Sequence, residues 1–359
     1  MLKNKLKIIP DGLPNKGMLF VDHSVNNRSG HLGHAFVEYA PQKILSFYPD
    51  CSDIDQKWYG HSGHGWMKYK RSLDGGLTWS ESYDEPHSKA LYDKDIGRSM
   101  MCEKAVCTNS GRIVLFYLQC DMVTDGHIWE PYLEPYYAFS EDGGESFSAL
   151  KEIHGKPARI WDAIYKDGVI YVLLQDGNYS GRGENPYLLY ASEDDGESFY
   201  LKSTLPFSST FDCLYGTMIF RPDGSLLVHI YDVHDEYNTK YLISYDNGLT
   251  WTITRRSFFE KRIRNPQITY FNGVYILHGR SGSLGANEFS GHFILYLSQD
   301  GINWNEGTYM IMREAWTGAY SNNLIVHSPD GEEVRVIINT SHAYDKNKTN
   351  ILQFFIEKN

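Results

Sequence analysis

The sequence predicts an all-β protein, a six-bladed β-propeller with four antiparallel strands in each blade. Three observations lead to this prediction. A short motif recurs five times at similar intervals, strand-like runs precede the copies, and tight-turn sequences separate the remaining strands. With 359 residues, of which 42% are hydrophobic and 14% aromatic, the chain is long enough to bury a core between the blades of such a ring.

The recurring sequence, here called the Ser-x-Asp motif, follows the pattern Ser-x-Asp-x-Gly-x-Thr/Ser-Trp/Phe. The aspartate of this pattern accepts hydrogen bonds from nearby backbone N–H groups, and the glycine tolerates the positive φ of a tight turn. We expect the closing aromatic residue to pack between neighbouring sheets. The four full copies begin at Ser72, Ser140, Ser192 and Ser244, and a contracted fifth copy begins at Ser298.

The segments between the motifs alternate strand-like runs with tight turns. Alternating runs such as GWMKYKR, PYLLYA and FILYL lead into the motifs. Each unit is therefore predicted to contain four antiparallel strands, A to D, and no helix beyond short turns. The hairpin turns read NSG at 109–111, KDG at 166–168, PDG at 222–224, FNG at 271–273 and PDG at 329–331.

The last unit, which starts at Tyr320, contains only three strand-like runs. The N-terminal sequence MLFVDH at 18–23 can supply the fourth strand, which would close the ring and protect the edges of its sheets. The chain 1–359 is thus predicted to form a single propeller domain, with residues 1–17 as an N-terminal extension.

Composition excludes several classes of function. The net charge of −11, from 45 acidic and 34 basic residues, argues against a nucleic-acid-binding protein. No apolar run is long enough to span a membrane, and the N-terminus lacks the apolar core of a signal peptide. Five cysteines without a CxxC pair indicate free thiols. We therefore expect a cytoplasmic protein, although the trimmed form of a secreted protein would look the same.

The Ser-x-Asp motif resembles the Asp-box, or BNR repeat, and on this basis the chain resembles the sialidase superfamily of six-bladed propellers. The resemblance covers roughly residues 18 to 357. It implies a carbohydrate-active protein that binds an oligo- or polysaccharide at the propeller axis. In such blades the D-to-A and B-to-C loops share one face, while the motifs lie on the other. The motifs are therefore expected to be structural, and the ligand site is expected among the longer loops.

The candidate site residues lie where A strands start and where B strands lead into C strands. Several arginines converging on one pocket suit a carboxylate or sulfate, so the glycan is predicted to be acidic. The candidates at A-strand starts are His34, Arg98, Arg159, Trp161, Asp162, Tyr215, Arg264 and Tyr320. Those in B-to-C connections are Asp50, His61, His64, Tyr231 and Arg280.

Compared with sialidases, one catalytic position matches and the others differ. Tyr320, in GAYSNN, matches the nucleophilic tyrosine that opens the last blade. His61 falls near the position of the sialidase acid, and Tyr215 falls on the position of its glutamate. His34 and Tyr231 lie near two positions where sialidases carry arginine. The resemblance therefore implies the scaffold and the tyrosine, but not the usual set of catalytic residues.

Three functions remain open at this point. A glycoside hydrolase would use Tyr320 as nucleophile with His61 or Asp50 as acid, or the carboxylates Asp50 and Asp162 as a pair. A polysaccharide lyase would use histidine and tyrosine to eliminate at a uronate, as ulvan-lyase-type propellers do. A non-catalytic glycan-binding propeller is the third possibility.

No metal or other cofactor is predicted. Two His-x-x-His pairs, His31 with His34 and His61 with His64, have a spacing that is found in metal sites. Both pairs lie in glycine-rich loops rather than on a helix, so the spacing fixes no ligand geometry. These histidines are expected to make local hydrogen bonds or to contact sugar.

Overall fold

The computed structural model describes residues 2–10, 17–31, 34–51, 64–121, 132–177, 185–207, 213–232, 234–281, 292–304, 306–310, 320–345 and 348–359. Six antiparallel sheets follow one another along the chain, and the A strand of each sheet packs beside the A strands of its neighbours. The predicted fold class is confirmed, since the sheets form a six-bladed propeller with four strands in each of the first five blades.

The strands are named in chain order. The N-terminal strands are β1 (Leu6–Ile9) and β2 (Met18–Val21). Blade 1 contains β3 (Ala35–Ala40), β4 (Lys43–Cys51), β5 (Gly65–Ser72) and β6 (Tyr83–Asp84). Blade 2 contains β7 (Arg98–Cys107), β8 (Ile113–Asp121), β9 (Tyr136–Ser140) and β10 (Lys151–Glu152). Blade 3 contains β11 (Ala158–Lys166), β12 (Val169–Asp176), β13 (Tyr187–Ser192) and β14 (Tyr200–Leu205).

The second half of the ring repeats this order. Blade 4 contains β15 (Cys213–Phe220), β16 (Leu226–Asp232), β17 (Asn238–Ser244) and β18 (Arg255–Phe258). Blade 5 contains β19 (Arg264–Phe271), β20 (Val274–Ser281), β21 (His292–Ser298) and β22 (Glu306–Met310). Blade 6 contains β23 (Ser321–His327), β24 (Glu333–Asp345) and β25 (Lys348–Lys358).

The N-terminal segment closes the ring, as predicted. Strand β2 pairs antiparallel with β25, with Met18 opposite Gln353. The region predicted as an extension also contributes, because β1 pairs with the other end of β25 and places Leu6 opposite Lys358. The outer edge of the last blade is therefore covered by two short strands from the opposite end of the chain.

One prediction about the elements is wrong. A nine-residue α-helix, α1 (Pro86–Lys94), lies between the D strand of blade 1 and the A strand of blade 2. The buried Glu85 side chain caps it, accepting hydrogen bonds from the backbone N–H of Ser88 at 2.7 Å and from the Tyr117 hydroxyl at 3.0 Å. Proline in the first turn fits helix initiation, but glutamate is an uncommon cap, so the sequence signal was weak.

The Ser-x-Asp motifs have the expected turn geometry. In blade 1 the Ser72 hydroxyl accepts the backbone N–H of Gly76 at 2.8 Å, and the Asp74 carboxylate accepts that of Thr78 at 2.9 Å. The closing aromatic residues pack on the preceding blade. Phe199 of blade 3, for example, lies 4.8 Å from the ring centroid of Tyr137 in blade 2. The motifs therefore join neighbouring blades.

The interior between the blades is apolar. The B strands are its most deeply buried part, and residues 113–120 of β8 are all buried. Within the part of the chain that the structure describes, Cys51, Cys102 and Cys107 form no disulfide. Within the described ranges, no helix is long and apolar enough to cross a lipid bilayer.

Candidate functional site

A pocket of about 420 Å³, part of it open to solvent, lies on the propeller axis. All six blades contribute side chains to it, from the A strands or from the residue just before them. The lining residues are His34, Glu103, Lys104, Arg159, Trp161, Tyr215, Asn265, Gln267, Tyr320, Ser321 and Asn322.

β-Bulges direct four of these side chains into the pocket. In blades 2 to 5 the pairing of the A and B strands slips within the A strand, which inserts extra residues at this point. Bulges are frequent beside functional sites because they re-aim a side chain. The bulged residues that line the pocket are Glu103, Trp161, Tyr215 and Asn265.

Arg159 stands at the centre of one wall of the pocket. Its guanidinium carbon lies 4.3 Å from the ring centroid of Trp161 and 5.0 Å from that of Tyr215. It donates hydrogen bonds to the Tyr132 hydroxyl at 2.9 Å and to Glu103 at 3.2 Å. Burial alone would lower the pKa of Arg159, but Tyr132 and Glu103 outweigh it and hold the pKa above its ordinary value. The wall therefore carries a permanent positive charge held between aromatic rings.

Tyr215 and Tyr320 form the adjoining part of the lining. The Tyr215 ring lies 6.2 Å from that of Tyr320 and 5.8 Å from that of Tyr231, measured between centroids. The guanidinium of Arg280 lies 5.3 Å from the Tyr320 ring. Burial, and after it the proximity of Tyr320, raises the pKa of Tyr215 well above its ordinary value. Tyr215 is therefore protonated at neutral pH and can donate a hydrogen bond.

A second arginine cluster lies behind the tyrosines. Arg264 forms an ion pair with Glu236 at 3.0 Å and donates to the Tyr231 hydroxyl at 3.3 Å. Burial raises the pKa of Glu236. Burial, and the neighbouring charge of Arg264, lower the pKa of Arg280. Arg264 and Arg280 thus place positive charge beside Tyr231 and Tyr320.

A polar network closes the floor of the pocket. The Lys104 ammonium lies 3.1 Å from Asp162 and donates to Asn322 at 3.0 Å and to Gln267. The other carboxylate oxygen of Asp162 accepts the Thr217 hydroxyl at 3.0 Å and the backbone N–H of Met218 at 2.8 Å. These contacts join blades 2 to 6. Because both oxygens of Asp162 are engaged, its placement favours a role in holding the ring together over general acid catalysis.

The structure brings most of the predicted residues to this region. His34, Arg159, Trp161, Tyr215 and Tyr320 line the pocket itself. Three others lie beside the lining residues: Tyr231 contacts Tyr215, Arg280 contacts Tyr320, and Arg264 contacts Tyr231.

Other predicted residues lie elsewhere. Asp50 pairs with Arg28 at 2.6 Å and with Lys68 at 3.3 Å, and it is not among the lining residues. The structure therefore does not show Asp50 and Asp162 as a pair of facing carboxylates. Arg98 is half exposed and lies 3.5 Å from Asp95.

The remaining predictions concern histidines. The Nδ1 atom of His64 lies 2.9 Å from the Ile96 carbonyl oxygen, while His61 lies outside the described residues. Burial lowers the pKa of His34 to about 3, so this imidazole is neutral at physiological pH. Within the described ranges, no group of three His, Cys, Asp or Glu side chains is arranged to hold a metal ion.

Sequence reasoning missed several lining residues, among them Glu103, Lys104 and Asn265. Two features of the sequence could have indicated them. Glu103 and Lys104 are adjacent charges inside the otherwise mostly apolar run of β7. Asn265 precedes Pro266 within β19, and a proline inside a strand indicates an edge or a bulge.

No protein-family model and no curated protein matches the sequence. Several solved structures resemble it. A protein of unknown function from Dyadobacter fermentans is 12% identical with a TM-score of 0.73, covering 99% of this chain and 100% of its own. A Hadza microbial sialidase is 15% identical with a TM-score of 0.70, covering 95% and 68%. The intramolecular trans-sialidase of Ruminococcus gnavus is 12% identical with a TM-score of 0.61, covering 97% and 98%.

At these identities the likeness shows the fold. The chain has the six-bladed propeller fold that the sialidases among these structures share, and the resemblance predicted from the Ser-x-Asp motifs is confirmed at that level.

Proposed function

We propose that the protein is a glycoside hydrolase that acts on an acidic glycan in the axial pocket, with Tyr320 as nucleophile. The observation that carries the proposal is the position of Tyr320. Its ring lines the pocket 6.2 Å from that of Tyr215, the Arg280 guanidinium lies 5.3 Å from it, and the Arg159 guanidinium lies 5.0 Å from the Tyr215 ring. The fold shared with sialidases supports a carbohydrate ligand, and Arg159 in the lining, with Arg280 beside Tyr320, supports an acidic one.

The reaction would proceed in two displacements. The Tyr320 oxygen attacks the anomeric carbon and loses its proton, while the leaving alcohol takes a proton from a general acid; water then releases the sugar. His61 remains the predicted acid. Tyr215 is protonated, so it can donate a hydrogen bond to a substrate oxygen or to Tyr320. Glu103, held by Arg159, is the carboxylate of the described lining and is a candidate to receive the Tyr320 proton.

A second candidate is β-elimination on a uronate-containing glycan. The presence of Tyr215, where sialidases carry a glutamate, favours it. A protonated Tyr215 could deliver a proton to the leaving oxygen, and Arg159 beside it could neutralise the uronate carboxylate. This reaction would need a base to remove the α-proton, for which His61 is the predicted residue.

A glycan panel separates these functions. The protein is incubated with neutral, sialylated and uronate-containing oligosaccharides, and the products are read by mass and by ultraviolet absorbance. Hydrolysis of an acidic member gives products that together have gained one water and do not absorb. Elimination gives an unsaturated, absorbing product with no added water. Binding of an acidic member without any product would contradict both enzymatic proposals and identify a glycan-binding propeller.

Substitution of Tyr320 tests the mechanism. Tyr320→Phe removes only the hydroxyl, so we expect the melting temperature to stay at the wild-type value while kcat falls by about 10²-fold or more. The wild-type protein should form a covalent glycosyl adduct on Tyr320 with a mechanism-based fluorinated glycoside. Tyr245→Phe, at a strongly exposed tyrosine of the Ser-x-Asp motif in blade 4, is the matched control and should retain full activity.

A further inference from the structure

Asn265 is a polar residue of the pocket whose side-chain amide is left without partners by the described residues. It lines the pocket and its residue exposure is only 4%. Neither its Oδ1 nor its Nδ2 atom has a hydrogen-bond partner among the described residues. A buried amide without partners destabilises the folded state, so such groups are rare unless a ligand or water completes them.

The backbone at Asn265 is also held in an unfavourable conformation. Its φ is +51°, in the left-handed region, and it precedes Pro266, which further restricts the residue before it. Asparagine tolerates this region better than most residues do. Strain of this kind persists where the surrounding structure enforces it, and it is concentrated at functional sites.

The neighbouring strand is adapted to the bulge that carries Asn265. A Cβ atom at Gly279 would lie 2.4 Å from the Arg264 carbonyl oxygen and 3.0 Å from that of Asn265. Only glycine fits opposite the bulge at these distances. Three features thus coincide at one point of the axial pocket: an amide without partners among the described residues, a strained backbone, and a glycine on the facing strand that makes room for it. The first two of these features lower stability.

We propose that Asn265 binds a neighbouring donor–acceptor pair on the sugar, a specificity contact of the axial pocket. The side-chain amide presents one acceptor and two donors side by side. Its complement is a pair of adjacent groups, one donating to Oδ1 and one accepting from Nδ2. Vicinal hydroxyls of a uronate and the acylamino group of an N-acylated sugar acid share this chemistry. The proposal rests on the proposed function only in taking the ligand to be a sugar.

Glycine is the informative substitution because it removes the amide and also relieves the positive φ. Asn265→Gly should therefore keep or raise the melting temperature while weakening sugar binding by about 10-fold to 100-fold, the loss expected for unmet hydrogen bonds. Asn272→Gly is the matched control. Asn272 also has a positive φ, +50°, but lies in the turn at the far end of the same A strand, and its replacement should leave binding unchanged.

Calorimetric titration in the Tyr320→Phe background measures binding without turnover. The probes are methyl glucuronide with its monodeoxy analogues and methyl sialoside with its analogue lacking the acetamido group. The proposal is supported if the intact probe of either pair binds and its affinity falls both when the hydroxyl or acetamido group is removed and when Asn265 is replaced by glycine. The two losses in affinity should not add when both changes are combined. It is overturned if neither probe binds, or if Asn265→Gly leaves the affinity of the intact probe unchanged.

Turnover separates this inference from the proposed function. Asn265-dependent binding without any hydrolysis by the wild-type protein would retain the specificity contact and reject the hydrolase. Hydrolysis that depends on Tyr320, with kcat/KM unchanged in Asn265→Gly, would retain the hydrolase and reject the contact. A fall in the melting temperature of Asn265→Gly with unchanged affinity would show a structural role and also overturn the proposal.

Discussion

The Ser-x-Asp motifs and the axial pocket use similar polar residues in opposite ways. In the motif of blade 2, Asp142 accepts the backbone N–H groups of Glu145 and Ser146 and the Ser146 hydroxyl. These hydrogen bonds lower its pKa, so they favour the ionised form. In the pocket, by contrast, the amide of Asn265 has no partner within the described structure. The motif aspartate is therefore satisfied by its own turn, whereas the pocket amide remains able to bond a ligand.

The same contrast separates two carboxylates near the axis. Asp162 is bonded through both oxygens to Lys104, Thr217 and the backbone of Met218. Glu103 lines the pocket and contacts Arg159 through one oxygen. Position near the axis alone thus does not identify a catalytic carboxylate. The number of hydrogen bonds and ion pairs that the protein makes to the carboxylate is a better guide.

The largest effect on stability is expected from a motif aromatic. Trp304 is 6% exposed and stacks against Phe259, with ring centroids 6.0 Å apart. Trp304→Ala should lower the free energy of unfolding by about 3–5 kcal/mol because it leaves a large cavity between blades. Urea unfolding measures this loss, and the specific activity of the folded fraction should be unchanged. Loss of activity with intact stability would mean that the two faces have been assigned the wrong way round.

Asp162→Asn sharpens the contrast between the two carboxylates. Loss of the charge beside Lys104 should lower the free energy of unfolding by about 1.5–3 kcal/mol, the usual contribution of a charged hydrogen bond. We expect kcat to change only a few-fold, as measured below the unfolding temperature. If kcat instead falls by about 10²-fold with little change in stability, Asp162 is a catalytic group, as the sequence suggested.

Acid should affect the two regions in different pH windows. Burial lowers the pKa of both His34 and His278, near the axis, to about 3, whereas an unfolded histidine has a pKa of 6.5. The unfolded state therefore binds these protons first. Stability should fall as the pH drops below about 6.5, with a slope approaching about 1.4 kcal/mol per pH unit for each histidine.

The motif aspartates respond at lower pH. Hydrogen bonds from Thr250 lower the pKa of Asp246 to about 2, so its contribution is present above pH 4 and is lost as the pH falls towards 2. Urea unfolding at a series of pH values resolves both windows. The pKa values of His87 and His327 are raised by Glu85 and Glu38, so their contribution is fully present below about pH 6.5 and is lost as the pH rises above it, outside the first window. A free energy of unfolding that stays constant from pH 7 to pH 4.5 would contradict the conclusion that the two histidines near the axis are buried in their neutral form.

The smallest effect is expected at Arg98. Its side chain is half exposed, pairs with Asp95 at 3.5 Å and is not among the lining residues. Because exposed ion pairs contribute little, Arg98→Ala should change stability by less than about 1 kcal/mol. Substrate KM should also be unchanged. A raised KM would place Arg98 in the substrate site, as predicted from the sequence, and would enlarge the site beyond the axial pocket.

The fold could be predicted from the sequence because it is repeated. The five motifs and the hairpin turns fix strand order, and the incomplete last unit predicts that β2 joins β25. Helix α1 was missed because a single helix of nine residues, capped by a glutamate, carries little periodic signal.

The site could be predicted only in part. The expectation that the starts of the A strands line the axis placed Arg159, Tyr215 and Tyr320 in the pocket, where the structure has them. The bulges that direct Glu103 and Asn265 inward depend on the pairing register of two strands, which period-two alternation does not reveal. Likewise, Asp50 lies near the end of strand β4, but Arg28 and Lys68 hold it in a separate ion-pair cluster.

The most direct test of the central claim is a crystal structure of Tyr320→Phe with a bound acidic glycoside, either methyl glucuronide or methyl sialoside. We predict electron density for the sugar in the axial pocket, between Arg159 and residue 320, with sugar oxygens within hydrogen-bonding distance of Asn265 and Tyr215. Density on the face of the Ser-x-Asp motifs, with the axial pocket left without sugar, would contradict the account.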